Sequence, residues 1–106
     1  MTPHLPVVTM AAEALGLDAG ELLLRRREPH LVRGRALVVW LLRTLPSRPM
    51  SYPDIGEVLG GMDHQSMIHL HRKAIALRLR DRAFGSACKS FLTRFFLSVE
   101  DLHVRR

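Results

Sequence analysis

Apolar residues recur along most of the chain at the three- and four-residue spacing of α-helices. The first such stretch covers residues 7–15 and stops at Gly16. Asp18 then stands where a side-chain oxygen can cap a short helix that runs to Leu24. Both segments are therefore predicted to be helical.

A longer helix is predicted over residues 31–45, after a basic connection at residues 25–30 in which Pro29 breaks the helical pattern. The segment 46–49 ends this helix, because neither of its prolines can continue a helical hydrogen-bond ladder. The apolar residues of the long helix are predicted to face the core: Leu37, Val38, Trp40, Leu41, Leu42 and Leu45.

Two helices joined by a glycine turn are predicted next. Ser51 can cap the first of them, and Pro53 lies in its first turn, where a missing N–H costs nothing. Asp63 can cap the second, which is predicted to be the longest helix of the chain and to continue towards Arg80. The glycines at positions 60–61 permit the positive φ that such a turn can demand. This arrangement is a helix-turn-helix, in which the start of the second helix commonly faces the DNA major groove.

A last helix is predicted over residues 84–99, followed by a frayed tail at residues 100–106. No stretch alternates between apolar and polar residues as a strand does, and no segment repeats. We therefore predict an all-α fold, a compact helical domain with a helix-turn-helix, that forms a single domain over residues 1–106.

The charge of the chain indicates its class of partner. Sixteen Lys+Arg against ten Asp+Glu give a net charge of +6, which favours a polyanion such as nucleic acid. Lys73 and Lys89 are the only lysines, so nearly all of the positive charge is arginine. Arginine suits bidentate contacts with phosphate and guanine.

Other function classes lack candidate residues. The longest apolar stretch, residues 36–42, is too short to cross a bilayer, and the single cysteine, Cys88, cannot form an internal disulfide. No P-loop sequence is present to hold ATP, and no nucleophile–base or carboxylate pair stands out. We expect no enzymatic activity, no cofactor and no membrane contact, and we expect a cytoplasmic location in association with the nucleoid.

The segment LGGMDHQSMIHLHRK, residues 59–73, resembles the signature of the C-terminal DNA-binding domain of the DnaA family of bacterial replication initiators. That signature reads Gly-Gly-Arg-Asp-His-Thr-Thr, followed by an aliphatic pair, His and later Arg-Lys. Residues 21–41 are similar to the family's basic loop and following helix, and residues 52–61 to its Pro-Glu-Ile-Gly segment. The resemblance extends in order from Val7 to about Phe96.

The resemblance implies a set of contacts with double-stranded DNA. Arg27 would enter the minor groove, Arg35 would contact the phosphate backbone, and Pro53 would lie near the DNA. Lys73 would contact phosphate as well. The major groove would be read by the start of the longest helix, through Asp63, His64, Gln65 and Ser66. Such contacts divide into those that position the protein and those that specify the sequence.

The histidines of this segment have different expected roles. His64 follows the cap at an exposed helix start and is expected to contact DNA, whereas His69 is interpreted as a buried or half-buried structural residue. His64 and His69 are five residues apart, and His69 and His71 are two apart, so neither pair shares a helical face. No zinc site is therefore expected.

The sequence also departs from the family signature, and two functions stay open. Met62 replaces the signature arginine, Gln65-Ser66 replaces Thr-Thr, and Pro29 interrupts the basic segment.

The first hypothesis is sequence-specific binding of DnaA-box-like sites, as a monomer, in control of replication or transcription, with the full-length initiator as a competitor or partner. The alternative is a protein-interaction module with decayed DNA reading, for which the apolar segment 91–97 would supply a surface.

Overall fold

A computed structural model describes residues 5–45 and 49–104, with side chains for residues 6–45 and 49–94. Over these ranges the chain forms six helices and no strand, so the prediction of an all-α fold is confirmed. The helices are α1 Leu5–Leu15, α2 Ala19–Leu22, α3 Pro29–Arg43, α4 Tyr52–Val58, α5 His64–Arg80 and α6 Arg82–Val104. None of the helices in the described ranges is long and apolar enough to cross a membrane.

The three predicted N-caps are confirmed. The side chain of Asp18 accepts the N–H of Gly20 at 3.0 Å, and that of Ser51 accepts the N–H of Asp54 at 3.2 Å. Asp63 caps α5 in the same way. Each such cap stabilises its helix by roughly 1 kcal/mol, because it satisfies a main-chain donor that has no partner inside the helix.

Several predicted boundaries are wrong. Pro29 was expected to interrupt the chain before the long helix, but α3 begins at this proline, with Glu28 as its N-cap residue. A proline at the first helical position is favourable because its fixed φ suits the helix and its missing N–H would have had no helical acceptor. At the other end of the chain, α6 continues to Val104, so the expected tail is helical through that residue. Helix α6 has 23 residues and α5 has 17, so α6 and not α5 is the longest helix of the described ranges. The short helix α2 ends at Leu22 rather than at Leu24.

Helix α3 is the centre of the fold and packs against each of the other five helices. Every residue from Ala36 to Leu42 is buried, so this helix is apolar on all sides over that length. The core around it includes Val8, Leu22, Ile55, Met67 and Phe84, each at most 2% exposed. Because α1, α4, α5 and α6 all pack on one buried helix, the loop before α3 and the start of α5 are held on a single rigid body.

Candidate nucleic-acid interface

The start of α5 is capped and exposed. Oδ1 of Asp63 accepts the main-chain N–H of Ser66 at 2.8 Å, and this hydrogen bond lowers the pKa of Asp63 below its ordinary value. The side chains of His64 and Gln65 are exposed on the first turn, while Ser66 is half-buried. The first turn of α5 therefore presents polar side chains to solvent at the end of the helix where the dipole is positive.

The turn between α4 and α5 is built on close main-chain contacts. The N–H groups of Gly61 and Met62 both donate to the carbonyl of Gly56, at 3.0 and 2.9 Å. A Cβ on Gly56 would lie 2.0 Å from the carbonyl oxygen of Met62, so only glycine fits there. Gly60 and Gly61 have φ of +87° and +86°, which side chains rarely adopt. These contacts join α4 and α5 in one fixed arrangement.

The loop between α2 and α3, residues 23–28, carries exposed arginines and is called the basic loop below. Arg26 forms ion pairs with two nearby carboxylates. Its Nε lies 2.7 Å from Oε1 of Glu28, and its Nη1 lies 3.4 Å from Oε2 of Glu21. Within the described part of the chain, neither Arg25 nor Arg27 has a hydrogen-bonded or ion-paired partner. Both guanidinium groups therefore keep their donors for an external anion.

An open cleft of about 850 Å³ separates the basic loop from one side of α5. Residues 25–27 line it from the loop, and Asp63, Ser66, His69 and Lys73 line it from the helix. The helix residues follow one another at spacings of three and four, which places them on a common face. The cleft thus combines a basic rim with polar side chains of the predicted recognition helix.

The predicted contact residues divide between the cleft and the surface beside it. The cleft is lined by Arg27, Arg35, Asp63, Ser66 and Lys73. Three others are exposed and lie outside its lining: Pro53, His64 and Gln65. The first turn of α5 therefore has one side towards the basic loop and another side away from it. Direct contact of any of these residues with DNA stays a prediction.

The role expected of Arg35 needs correction. Its side chain is only 2% exposed, and its guanidinium donates to three main-chain carbonyls of the segment before it, those of Leu22, Leu24 and Arg26. All three guanidinium nitrogens are engaged inside the protein, so the group is not presented to a phosphate as the resemblance implies. The spacing Arg-x-Arg could not reveal this, because which arginine faces inwards depends on how α3 packs.

The interpretation of His69 as a buried residue is also wrong, since it is exposed and lines the cleft. It lies three residues after Ser66 and four before Lys73, a periodicity that places it on their face, whereas its exposure depends on how the neighbouring loop lies. His71 is the half-buried histidine: its Nδ1 lies 2.7 Å from the hydroxyl oxygen of Tyr52. Burial lowers the pKa of His71 below its ordinary value.

The remaining candidates are the metal-ligand residue types, the single cysteine and the apolar segment 91–97. In the described ranges no group of three or more His, Cys, Asp or Glu is arranged to hold a metal ion. Cys88 is buried, and burial raises the pKa of its thiol to about 11. Phe91 is 7% exposed and belongs to the core, so at this position the apolar segment offers no external surface. Phe95 and Phe96 lie outside the described side chains.

A family model described as the bacterial DnaA protein helix-turn-helix matches residues 6–74 of this chain. The chain belongs to this family. The match includes the basic loop, the glycine turn and the whole of the α5 face that lines the cleft. Family membership agrees with the resemblance read from residues 59–73 and with the observed all-α fold.

Similar proteins named chromosomal replication initiator protein DnaA occur in several bacteria. The protein of Caulobacter vibrioides is 40% identical over 74 residues, which cover 70% of this chain and 15% of that protein. The protein of Pelobacter propionicus is 39% identical over 72 residues, or 68% of this chain and 15% of that protein. The protein of Nitrosomonas europaea is 34% identical over 70 residues, or 66% and 15% respectively. This chain therefore spans about 15% of the length of the relatives that it matches.

Proposed function

We propose that this domain binds double-stranded DNA sequence-specifically at DnaA-box-like sites, in control of replication initiation or of transcription. The start of α5 enters the major groove, and Arg27 of the basic loop enters the adjacent minor groove. The observation that carries the proposal is the cleft, in which the unpaired donors of Arg25 and Arg27 face the polar side of α5. A phosphate backbone that passes between the two elements meets cations from both.

The electrostatics of the cleft favour a polyanion over a single small anion. Arg25 and Arg27 come from the loop and Lys73 from the third turn of α5, so the positive groups are spread along the cleft. The only carboxylate in its lining, Asp63, is already engaged in capping the helix. An extended chain of phosphates satisfies such spread charges better than a compact ligand does.

The departures from the family signature predict an altered sequence preference. Gln65 is exposed on the first turn of α5, and a glutamine amide can pair in a bidentate manner with the N6 and N7 atoms of adenine. The threonines of the signature would instead offer methyl groups to thymine. Met62 is half-buried and packs against the core, where the signature arginine would add a cation. We therefore expect a recognised box that differs from the consensus of the family.

The test is a fluorescence-anisotropy titration of the wild-type protein against a labelled duplex with a DnaA-type box and a scrambled duplex, at two salt concentrations. A selection from a duplex with a randomised centre finds the preferred box if it differs from the DnaA type. Arg27→Ala is expected to weaken specific binding by roughly 5- to 150-fold, the equivalent of about 1–3 kcal/mol. Arg82→Ala is the matched control, because Arg82 is exposed at the start of α6 and lies outside the cleft.

His64→Ala and Gln65→Ala are expected to reduce the preference for the selected box more than they reduce binding to the scrambled duplex. Equal affinity for every duplex, unaffected by these substitutions, would contradict sequence-specific reading. Absence of binding at low salt would contradict the proposal entirely and would favour a protein-interaction module. If binding is specific, a mixed titration with the full-length initiator tests whether this domain competes for the same boxes.

A further inference from the structure

Arg35 is the one charged side chain among the described residues that is buried in the core region. Its Nε donates to the carbonyl of Leu22 at 2.8 Å, its Nη1 to that of Arg26 at 2.6 Å, and its Nη2 to that of Leu24. The acceptors are alternate residues of one short segment, and that segment leads directly to Arg27. A single side chain of α3 therefore holds the main chain at the end of α2 and at two points of the basic loop.

Only arginine can make this arrangement. The loop carbonyls have no helical donors and need partners where they are removed from water, and a buried guanidinium needs acceptors for all of its nitrogens. The planar guanidinium offers donors in a fixed fork, whereas the lysine ammonium offers them from one point. Burial lowers the pKa of Arg35 from its ordinary value, with Glu28 opposing that effect, and an arginine stays charged at neutral pH.

The basic loop also contacts the turn of the helix-turn-helix. A Cβ on Gly60 would lie 2.4 Å from the carbonyl oxygen of Leu23 and 3.3 Å from its carbonyl carbon. The two main chains are therefore in direct contact at this glycine, with no side chain between them. The basic loop is therefore held by Arg35 and also abuts the turn that leads into α5.

We infer that Arg35 is a positioning residue for DNA recognition: through the carbonyls of Leu22, Leu24 and Arg26 it holds the basic loop against the turn at Gly60. This contact sets one register between Arg27 in the minor groove and the start of α5 in the major groove. Arg35 itself does not contact phosphate. The inference rests on the proposed function, because the register matters only if both elements bind the same DNA.

The first test is a double-mutant cycle on the selected duplex, with Arg35→Lys combined with Arg27→Ala and, separately, with His64→Ala. Lysine keeps the charge and loses the fork. If Arg35 positions the loop, Arg35→Lys weakens specific binding at least 5-fold, and the penalty of Arg27→Ala shrinks by at least ~5-fold in that background, beyond the roughly 2-fold scatter of independent sites. The penalty of His64→Ala stays the same, because α5 is held by other contacts.

The matched control is Arg33→Lys. Arg33 lies on the same helix and makes a bidentate pair with Asp81, at 2.7 and 3.0 Å, away from the basic loop. Arg33→Lys therefore removes an equivalent planar set of donors without disturbing the basic loop. Its effect on binding should be additive with that of Arg27→Ala. A general loss of stability would lower the active fraction in both lysine variants alike and would not couple selectively to Arg27.

The second test needs no variant, so it stands even if Arg35→Lys does not fold. NMR order parameters of the free wild-type protein are expected to be about 0.85 for the main chain of residues 22–26, the value of a rigid backbone. Values below about 0.6 there would overturn the inference, because the loop would not be held before DNA binds. Additivity of Arg35→Lys with Arg27→Ala, with wild-type binding intact, would also overturn it while leaving the proposed function standing. Absence of wild-type binding would overturn the function and the inference with it.

Discussion

Asp81 follows the last residue of α5 and links α3 to α6, and its removal is expected to destabilise the domain by about 2–3 kcal/mol. Its carboxylate accepts two hydrogen bonds from the guanidinium of Arg33 on α3, and its Oδ1 also accepts the N–H of Phe84 at 3.1 Å, in the first turn of α6. The side chains of the pair are 27% and 25% exposed, so solvent reduces the charge-assisted bonds to roughly 1–2 kcal/mol. The helix cap adds about 1 kcal/mol.

Thermal and urea unfolding of Asp81→Ala and Asp81→Asn separate the two contributions. Asparagine keeps an oxygen that can cap α6, so Asp81→Asn should lose only the ion pair, and the alanine variant should lose about 1 kcal/mol more. The full loss should lower Tm by roughly 10–20 °C in a domain of this size. Glu57→Ala is the control, because Glu57 is exposed on α4 and no such pair involves it, so its effect should stay within about 0.5 kcal/mol.

The pH dependence gives an independent check. The hydrogen bond from Arg33 lowers the pKa of Asp81 to about 2, from 3.8 for the unperturbed carboxyl. Because the pKa is lower in the folded state than in the unfolded state, the stabilisation is fully present above about pH 4 and is lost as pH falls towards 2. Wild-type Tm should therefore fall more steeply than that of Asp81→Asn in this window. Parallel acid profiles, or an alanine variant within 0.5 kcal/mol of the wild type, would refute the reasoning.

Three other predictions concern the interface and its supports. Lys73→Ala should make the slope of log affinity against log salt less negative by about 0.9, the value of one phosphate contact. Lys89→Ala, which removes the other lysine, should leave the slope unchanged, and equal slopes for the two variants would place Lys73 off the DNA. Gly60→Ala should cost roughly 2–4 kcal/mol in urea unfolding, because it combines a positive φ with a main-chain clash, and an effect under 1 kcal/mol would show that the turn can yield. Burial lowers the pKa of His71, so the neutral form stabilises the fold above pH 6.5 and this contribution is lost as pH falls through the folded pKa. In His71→Gln the decline of Tm below pH 6.5 should therefore be smaller than in the wild type. An unchanged decline would exclude His71 as its source.

Three helix starts were predictable because their chemistry is local. Asp18, Ser51 and Asp63 each cap a helix within three residues of their own position, so the acceptor and its donor lie in one short stretch of sequence. The same holds for the glycine turn, since positive φ is a property of the residue that adopts it. The error at Pro29 shows the limit of local patterns, because a proline is equally compatible with a break and with the first turn of a helix.

The orientations of Arg35 and His69 were not predictable in the same way. Arg35 faces the core side of α3 because the loop before that helix folds back over it, and the acceptors lie 9 to 13 residues earlier in the chain. His69 is exposed because the basic loop stands away from α5 and leaves a cleft between them. Both outcomes depend on where a neighbouring segment lies and not on the residue or its immediate neighbours.

The sequence by itself determined the all-α class, the three capped helix starts and the glycine turn, since each follows from residue types acting over a few positions, and its summed charge of +6 favours a polyanionic partner. The sequence also indicated the family, because residues 59–73 contain Gly-Gly, Asp-His and Arg-Lys in the order of the family signature. Only the tertiary structure decided which arginines are exposed to solvent and which are buried and hydrogen-bonded inside the protein. The physical reason is that burial of a charged group requires several acceptors at once, and packing alone brought the carbonyls of Leu22, Leu24 and Arg26 to Arg35 while it left Arg25 and Arg27 exposed beside α5.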